Sequence, residues 1–390
     1  MPLQKKLIEH LLKTHLKVLG PLGTERLEEL VSPQLLSPFQ IDLPKHLLTE
    51  AQEFVAASYK LRENSQYQKF LQTDLQARGI SDPGNKSILM SYDFHVDSEN
   101  HLKLIEINTN ASFLAMACEM YQMRGISNPI PGFQFSDLRT CIETEMNLQK
   151  KKIPEKFKVA IIDEEPEKQR LYIEFLVYQS HFQNWGWEPE IADYRKVPKC
   201  DFIYNRFTDF YLSGADSKDL RKNFLSKEIC LSPNPFEYLL LADKQRMIDW
   251  NTDELWNRIG DQDRLRPIFK RNLPQAKDLN PNKVDEIWSE RKKFFFKPKR
   301  AYGAKQSFRG GSISRKAFDE ILTQDFIAQE FVPAPERKFM TPDGEQIFKF
   351  DLRFYAYQDQ LQMVVARLYQ GQVTNLRTPF GGFTPVVFTS

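Results

Sequence analysis

The chain has 390 residues, with 54 Lys and Arg against 52 Asp and Glu, for a formal net charge of +2. Hydrophobic residues make up 41% and charged residues 27%, ordinary values for a soluble globular protein with two or three domains. The near-neutral balance excludes a strongly basic surface, and no apolar run approaches the roughly 18 residues that span a bilayer. Neither nucleic acid nor a membrane is therefore expected as a partner.

Leu7, Ile8, Leu11, Leu12, Leu16 and Leu19 recur at helical spacing between polar residues, and Gly20-Pro21 is the expected stop. This predicts an amphipathic helix docked on the body. Residues 1–80 read as helical pieces separated at Pro33, Pro38 and Pro44. Ser87–Asp97 and Leu102–Ile107 predict an antiparallel strand pair joined by a turn over 98–101. A helix is expected over 112–125.

Lys150-Lys151-Lys152 and Pro154 mark a linker. Beyond it, strands at 157–163 and 201–204 alternate with helices near 167–183 and 218–226, the pattern of a small open α/β domain. The last third holds strands at 294–298 and 326–332, a glycine-bearing loop over 302–314, and an alternating hairpin over 348–357 and 361–369. The expected division is 1–150, 151–245 and 246–390.

Cys118, Cys141, Cys200 and Cys230 form no CxxC pair, so reduced thiols and a cytoplasmic location are expected. The six histidines do not cluster along the chain, and no His-ligated metal is expected.

Three places carry candidate chemistry. In the strand pair at 87–108, a turn centred between Glu99 and Asn100 sets Asp93 opposite Glu106, with Asn108 on the same face as Glu106. Like charges facing across strands destabilise the pair unless a cation lies between them. Two carboxylates and an amide oxygen are hard ligands of the kind Mg²⁺ takes. The second place is Lys297, at the end of a strand, followed by Gly303, Gly310 and Gly311; such a loop brings backbone N–H groups close to phosphate oxygens. In the third, Arg377 precedes Gly381-Gly382 by four residues, and an Arg beside a glycine loop can clamp a carboxylate or phosphoryl group.

Leu104-Ile-Glu-Ile-Asn-Thr-Asn-Ala-Ser-Phe113 resembles the metal-binding strand of eukaryotic-type glutathione synthetase, and the synthetase domain of glutathionylspermidine synthetase has a similar Asp-then-Glu-x-Asn arrangement. Both are circularly permuted ATP-grasp ligases. The resemblance covers roughly residues 87–125 and 230–390. It implies an α/β fold of the α+β ATP-grasp type, circularly permuted, with a helical N-terminal region and a small open α/β substrate domain.

By that resemblance Asp93, Glu106 and Asn108 would bind Mg²⁺, and Lys244 and Lys297 would reach ATP phosphates. Lys305, Gly310 and Gly311 would belong to the closing lid. Gln329, Glu330, Phe331 and Val332 would form the adenine hinge. Ser112, Arg377, Gly381 and Gly382 would contact the carboxylate substrate, with Arg377 and Lys297 acting in catalysis. Arg206, after the strand at 201–204, is a second candidate carboxylate contact. Two positions depart from the family: Ser91 stands where an Arg is usual, and Lys299-Arg-Ala301 lacks a Glu of glutathione synthetase. The latter leaves the number of metal ions open.

The expected activity is an ATP-dependent carboxylate–amine ligase, with ATP and Mg²⁺ as cofactors and small-molecule carboxylate and amine substrates. An ATP-dependent small-molecule kinase and a non-catalytic ATP-binding regulatory protein are the alternatives.

Overall fold

The structure is a computed structural model that describes residues 2–260, 262–279, 284–300 and 307–389. Its strands, in chain order, are β1 (Ile41–Pro44), β2 (Met90–Val96), β3 (Leu102–Asn108), β4 (Lys158–Asp163), β5 (Glu188–Asp193), β6 (Phe202–Asn205), β7 (Cys230–Ser232), β8 (Ala276–Asp278), β9 (Phe294–Pro298), β10 (Phe308–Arg309), β11 (Phe326–Glu330), β12 (Glu336–Thr341), β13 (Gly344–Tyr357), β14 (Gln360–Tyr369) and β15 (Gly382–Thr389).

They form three sheets. The largest runs β1-β15-β14-β13-β2-β3, with β12 also paired to β13. It is antiparallel except at the edge, where β1 lies parallel to β15. A second, antiparallel sheet runs β10-β9-β11-β8. The third, β5-β4-β6-β7, is wholly parallel. Helices 172–184 and 218–225 make its crossovers.

The β2–β3 pairing starts from its turn. Asp97 Oδ1 accepts the N–H groups of Glu99 and His101 at 3.0 and 2.9 Å, and Asn100 takes the left-handed φ of 66° that asparagine tolerates. Beside the turn the pairs are Val96–Leu102, His95–Lys103 and Phe94–Leu104. A bulge between Asp93 and Phe94 then shifts the register by one, so that Asp93 faces Glu106 and Ser91 faces Asn108. The expected pairs form through the bulge rather than from the turn alone.

β13 reads Lys349-Phe-Asp-Leu-Arg-Phe354, a charged–apolar alternation that assigns one face to each set. Phe350, Leu352 and Phe354 join Tyr92 and Phe94 in a core closed by helix 45–63, where Phe54 meets Tyr92 and Phe94 edge-on. Asp351 and Arg353 point the other way. Part of that second face is covered by a second core, which includes Tyr355, Met363 and Val365, helix 114–124 and helix 172–184. The rest is faced by the β8–β11 sheet, and the gap between these two sheets is the candidate site.

Several expectations are revised. The first helix (3–14) ends at His15, and a short helix 16–19 and a turn at 20–22 follow. Leu7, Ile8, Leu11 and Leu19 are buried, whereas Leu16 is 64% exposed. The N-terminal region contains β1 among its helices. Met90, not Ser87, begins β2. The C-terminal glycine segment leads directly into β15 rather than remaining a loop. Strands β5, β7, β8 and β12 went unpredicted. The large sheet draws strands from both the first and the last of the expected segments. No helix among the described residues is long and apolar enough to cross a membrane.

Candidate active site

A cavity of about 350 Å³ lies between the large sheet and the β8–β11 sheet. β2 contributes Asp93 and His95, β3 contributes Glu106, β13 contributes Lys349, Asp351 and Arg353, and β14 contributes Arg367 and Tyr369. Phe295, Lys297, Arg309 and Gln329 to Val332 close the opposite side.

Asp93 is the electrostatic centre. Its carboxylate accepts Arg353 Nε and Nη2 at 2.8 and 2.7 Å, and Arg367 Nη2 at 2.9 Å. Sheet register creates these pairs: Arg353 lies opposite Asp93, and Arg367 lies opposite Asp351, which its Nε reaches at 2.6 Å. Burial raises the Asp93 pKa, but the two guanidiniums outweigh it and hold the group at about 2. Asn108 Nδ2 lies 3.4 Å from Asp93 Oδ2 and 3.3 Å from Glu106 Oε1. Lys244 Nζ sits 3.8 Å from Glu106 Oε2. Burial raises the Glu106 carboxyl, and the Lys244 charge brings it below its usual range.

Lys297 is 8% exposed and donates to Ile105 O at 3.0 Å, crossing from one sheet to the other. Burial pulls its ammonium down to about 8, against the attraction of Glu106. Gln329 Nε2 also reaches across, donating to Leu104 O at 3.3 Å, while its Oε1 is buried with no hydrogen-bond partner. His95 Nδ1–H donates to Val332 O at 2.9 Å, tying the 329–332 segment to β2. Phe295 and Phe331 stack nearly parallel, 16° apart, and the Arg309 guanidinium lies 4.6 Å from the Phe331 ring centre.

The structure thus brings together Asp93, Glu106, Ser112, Lys244, Lys297 and Gln329 to Val332 around one cavity, with Asn108 beside Asp93 and Glu106. Six other expected residues among those described do not line it. Arg377 is exposed and does not line the cavity; the neighbouring Arg170 does, and bonds Leu376 O. Gly381 and Gly382 are packing glycines. A Cβ on Gly381 would lie 2.6 Å from Leu368 O, and one on Gly382, whose φ is 113°, would lie 2.8 Å from Leu35 O. Gly310 is pressed against the 291–294 backbone in the same way, and its N–H donates to Phe294 O at 2.9 Å.

Gly311 is exposed, and Lys305 lies outside the described residues. Arg206 follows β6 at the carboxyl end of the parallel sheet, bonded to Asn110 O and near Asp163, away from this cavity. Arg300 turns to Asp325, 3.1 Å away, on the far side of its sheet.

Sequence reasoning missed Arg353, Arg367 and Asp351, and it left His95 as a neighbour of Asp93 with no role. Strict alternation along β13 and β14 was the available signal for the first three. Histidines scattered along the chain also meet in space: His10, His15 and His181 converge on Glu119, because segments distant in sequence pack together.

No protein-family model matches the chain, and no curated relative does. Among solved structures, it is similar to a glutathione synthetase-like effector from Globodera pallida in apo form. The TM-score is 0.55 at 10% identity, covering 91% of this chain and 90% of that one. A candidate gamma-glutamylcysteine synthetase from Methylobacillus flagellatus KT gives a TM-score of 0.45 at 10% identity, with 86% of each chain covered. The fold is therefore similar to that of the glutathione synthetase-like effector, a mixed α/β architecture, and in this chain a charged cavity lies between two of its sheets.

Proposed function

We propose that the protein is an ATP-dependent carboxylate–amine ligase of the circularly permuted ATP-grasp type. The observation that carries this reading is the charge of the cavity between the sheets. Arg170, Lys244, Lys297, Arg309, Lys349, Arg353 and Arg367 line it against four carboxylates, Asp93, Glu106, Glu330 and Asp351. Such an excess suits a polyanion such as a nucleotide triphosphate. The Phe295–Phe331 pair offers a base-sized apolar slot beside it, and the unpartnered Gln329 Oε1 is an acceptor for a ligand N–H.

Glu106 at the cavity wall and Asn108 beside it would hold Mg²⁺ through oxygen, Asn108 by turning over the amide whose nitrogen faces Glu106 and Asp93, and substrate phosphates would complete the shell. Bound there, Mg²⁺ would neutralise phosphate charge. Asp93, fully engaged by Arg353 and Arg367, acts as the anchor that orients both guanidiniums. Those arginines take the place of the charge missing at Ser91. Lys244 and Lys297 would hold phosphate oxygens as charge develops during transfer. The substrate carboxylate oxygen attacks the terminal phosphorus and ADP leaves. An amine nitrogen then attacks the acyl carbon, loses a proton, and phosphate departs. Closure of the 307–314 segment would keep water from the acyl phosphate.

The commitment of both Asp93 oxygens to arginine also favours a binder without turnover. Thermal unfolding with Mg·ATP tests binding for both readings. A ligand at 100 times its dissociation constant stabilises the fold by about 2.7 kcal/mol, and the shift should shrink in Lys297→Ala and Glu106→Gln. Release of ADP across a panel of carboxylates and amines then selects the ligase. An absent thermal shift at saturation would sink both.

A further inference from the structure

Three of the six histidines meet around one carboxylate far from the cavity described above. Glu119, on helix 114–124, is 3% exposed. Its Oε1 lies 3.0 Å from His15 Nε2 and 3.5 Å from His181 Nε2, and its Oε2 lies 2.8 Å from His10 Nε2. His10 belongs to helix 3–14, His15 to the break after it, and His181 to the last turn of helix 172–184.

We propose that His15, Glu119 and His181 form a binding site for a divalent transition-metal ion, with zinc the best match. The ligand atoms of these three residues all lie within 4.8 Å of one another. Zinc bonds of about 2.0–2.1 Å in a tetrahedron place neighbouring ligand atoms roughly 3.3 Å apart, close to the 3.0 and 3.5 Å seen here. Two imidazoles and a carboxylate are the donor types zinc takes, leaving a fourth position for water or substrate.

Two further features suit a metal better than a simple hydrogen-bonded cluster. His15 Nδ1 meets Ser180 Oγ at 3.0 Å, the outer contact that fixes the orientation of a ligating imidazole. His10, on the other carboxylate oxygen, does the same for Glu119. In addition, His181 Nε2 is buried without a hydrogen-bond partner although it faces the carboxylate, so its lone pair is available. Ser180, His15 and Glu119 also have the atoms of a hydrolytic triad. All three are buried, however, and Glu119 is shared with two more imidazoles, so a nucleophile there would have no substrate. The His181 side chain, 23% exposed, supplies an entry path for an ion. Binding would clamp the N-terminal helices to the parallel-sheet region.

Cobalt(II) is the probe. The full chain, stripped with chelator, should bind one equivalent of Co²⁺ with visible bands of tetrahedral strength, and one equivalent of Zn²⁺ should displace it. His181→Gln should abolish the bands, and Ser180→Ala should weaken binding about 10–100-fold. His46→Gln, at an exposed histidine, should change nothing. Circular dichroism establishes that each variant is folded. Absence of bands in the native chain at millimolar Co²⁺ would overturn the site, as would bands that survive in folded His181→Gln. The native titration decides even where a variant does not fold.

Discussion

Asp93 and Arg353 face each other across β2 and β13, and the guanidinium bonds both carboxylate oxygens in a buried, two-pronged pair. Removing one member of such a pair strands the other, at a cost of about 3–5 kcal/mol. Arg367 also bonds Asp93, so the loss is unequal. Asp93→Asn, which leaves Arg353 without a carboxylate and Arg367 with Asp351 alone, is expected to cost more than Arg353→Met, which leaves Asp93 paired with Arg367. Urea unfolding of the two variants and the double variant checks this. Acid titration adds a second reading. The Asp93 carboxyl is held at about 2, below the 3.8 of an unperturbed aspartate. Its stabilisation is complete above about pH 4 and disappears as pH falls through 2.

Lys297 titrates in the opposite sense. Its ammonium falls from the 10.5 of an unperturbed lysine to about 8, so between those values the unfolded chain holds a proton there that the folded chain lacks. Stability should rise with pH between about 8 and 10.5, by up to about 3 kcal/mol. Lys297→Met should remove that slope and raise stability at pH 8. Equilibrium unfolding of both proteins at several pH values measures the difference.

Glu145 is fully buried, with Tyr357 O–H donating at 2.8 Å, Asn85 Nδ2 at 3.0 Å and Ser232 Oγ at 3.2 Å. Burial nevertheless pushes its carboxyl from 4.5 up to about 7. The folded chain therefore keeps a proton that the unfolded chain releases between pH 4.5 and 7. Stability should fall across that interval, and Glu145→Gln should flatten the fall. A native-like slope in the Gln variant would refute this assignment.

Gly382→Ala and Gly310→Ala separate packing from ligand contact. Each places a Cβ 2.8 Å from a backbone carbonyl, and Gly382 also carries the left-handed φ. Both variants should unfold more readily, by about 1–3 kcal/mol or more. If Gly382 were instead a substrate contact, Gly382→Ala would retain native stability and show altered ligand binding.

Local grammar made part of this molecule legible. The Asp97–Asn100 turn brings β2 against β3, but the meeting of Asp93 and Glu106 also needs the bulge after Asp93, which no local pattern announces. The alternation in β13 and β14 marks a charged face, although no spacing rule says that Arg353 will choose Asp93, 260 positions away. β1 is four residues long and gains its identity from a partner 345 positions on, so local pattern alone misses it. Gly381-Gly382 resembled a ligand loop because sequence shows that the backbone must come close to something, without showing what. The histidines around Glu119 carry no signal in the chain at all, since helix packing alone assembles them.

The pairing of β1 with β15 also bears on biosynthesis. A sheet whose edge joins residues 41–44 to residues 386–389 waits for a strand that is synthesised 345 residues after its partner. The parallel sheet, complete by Ser232, can form while the ribosome is still working. The nascent chain would therefore carry a finished parallel domain beside an unfinished sheet with an unpaired edge, the kind of intermediate that chaperones protect.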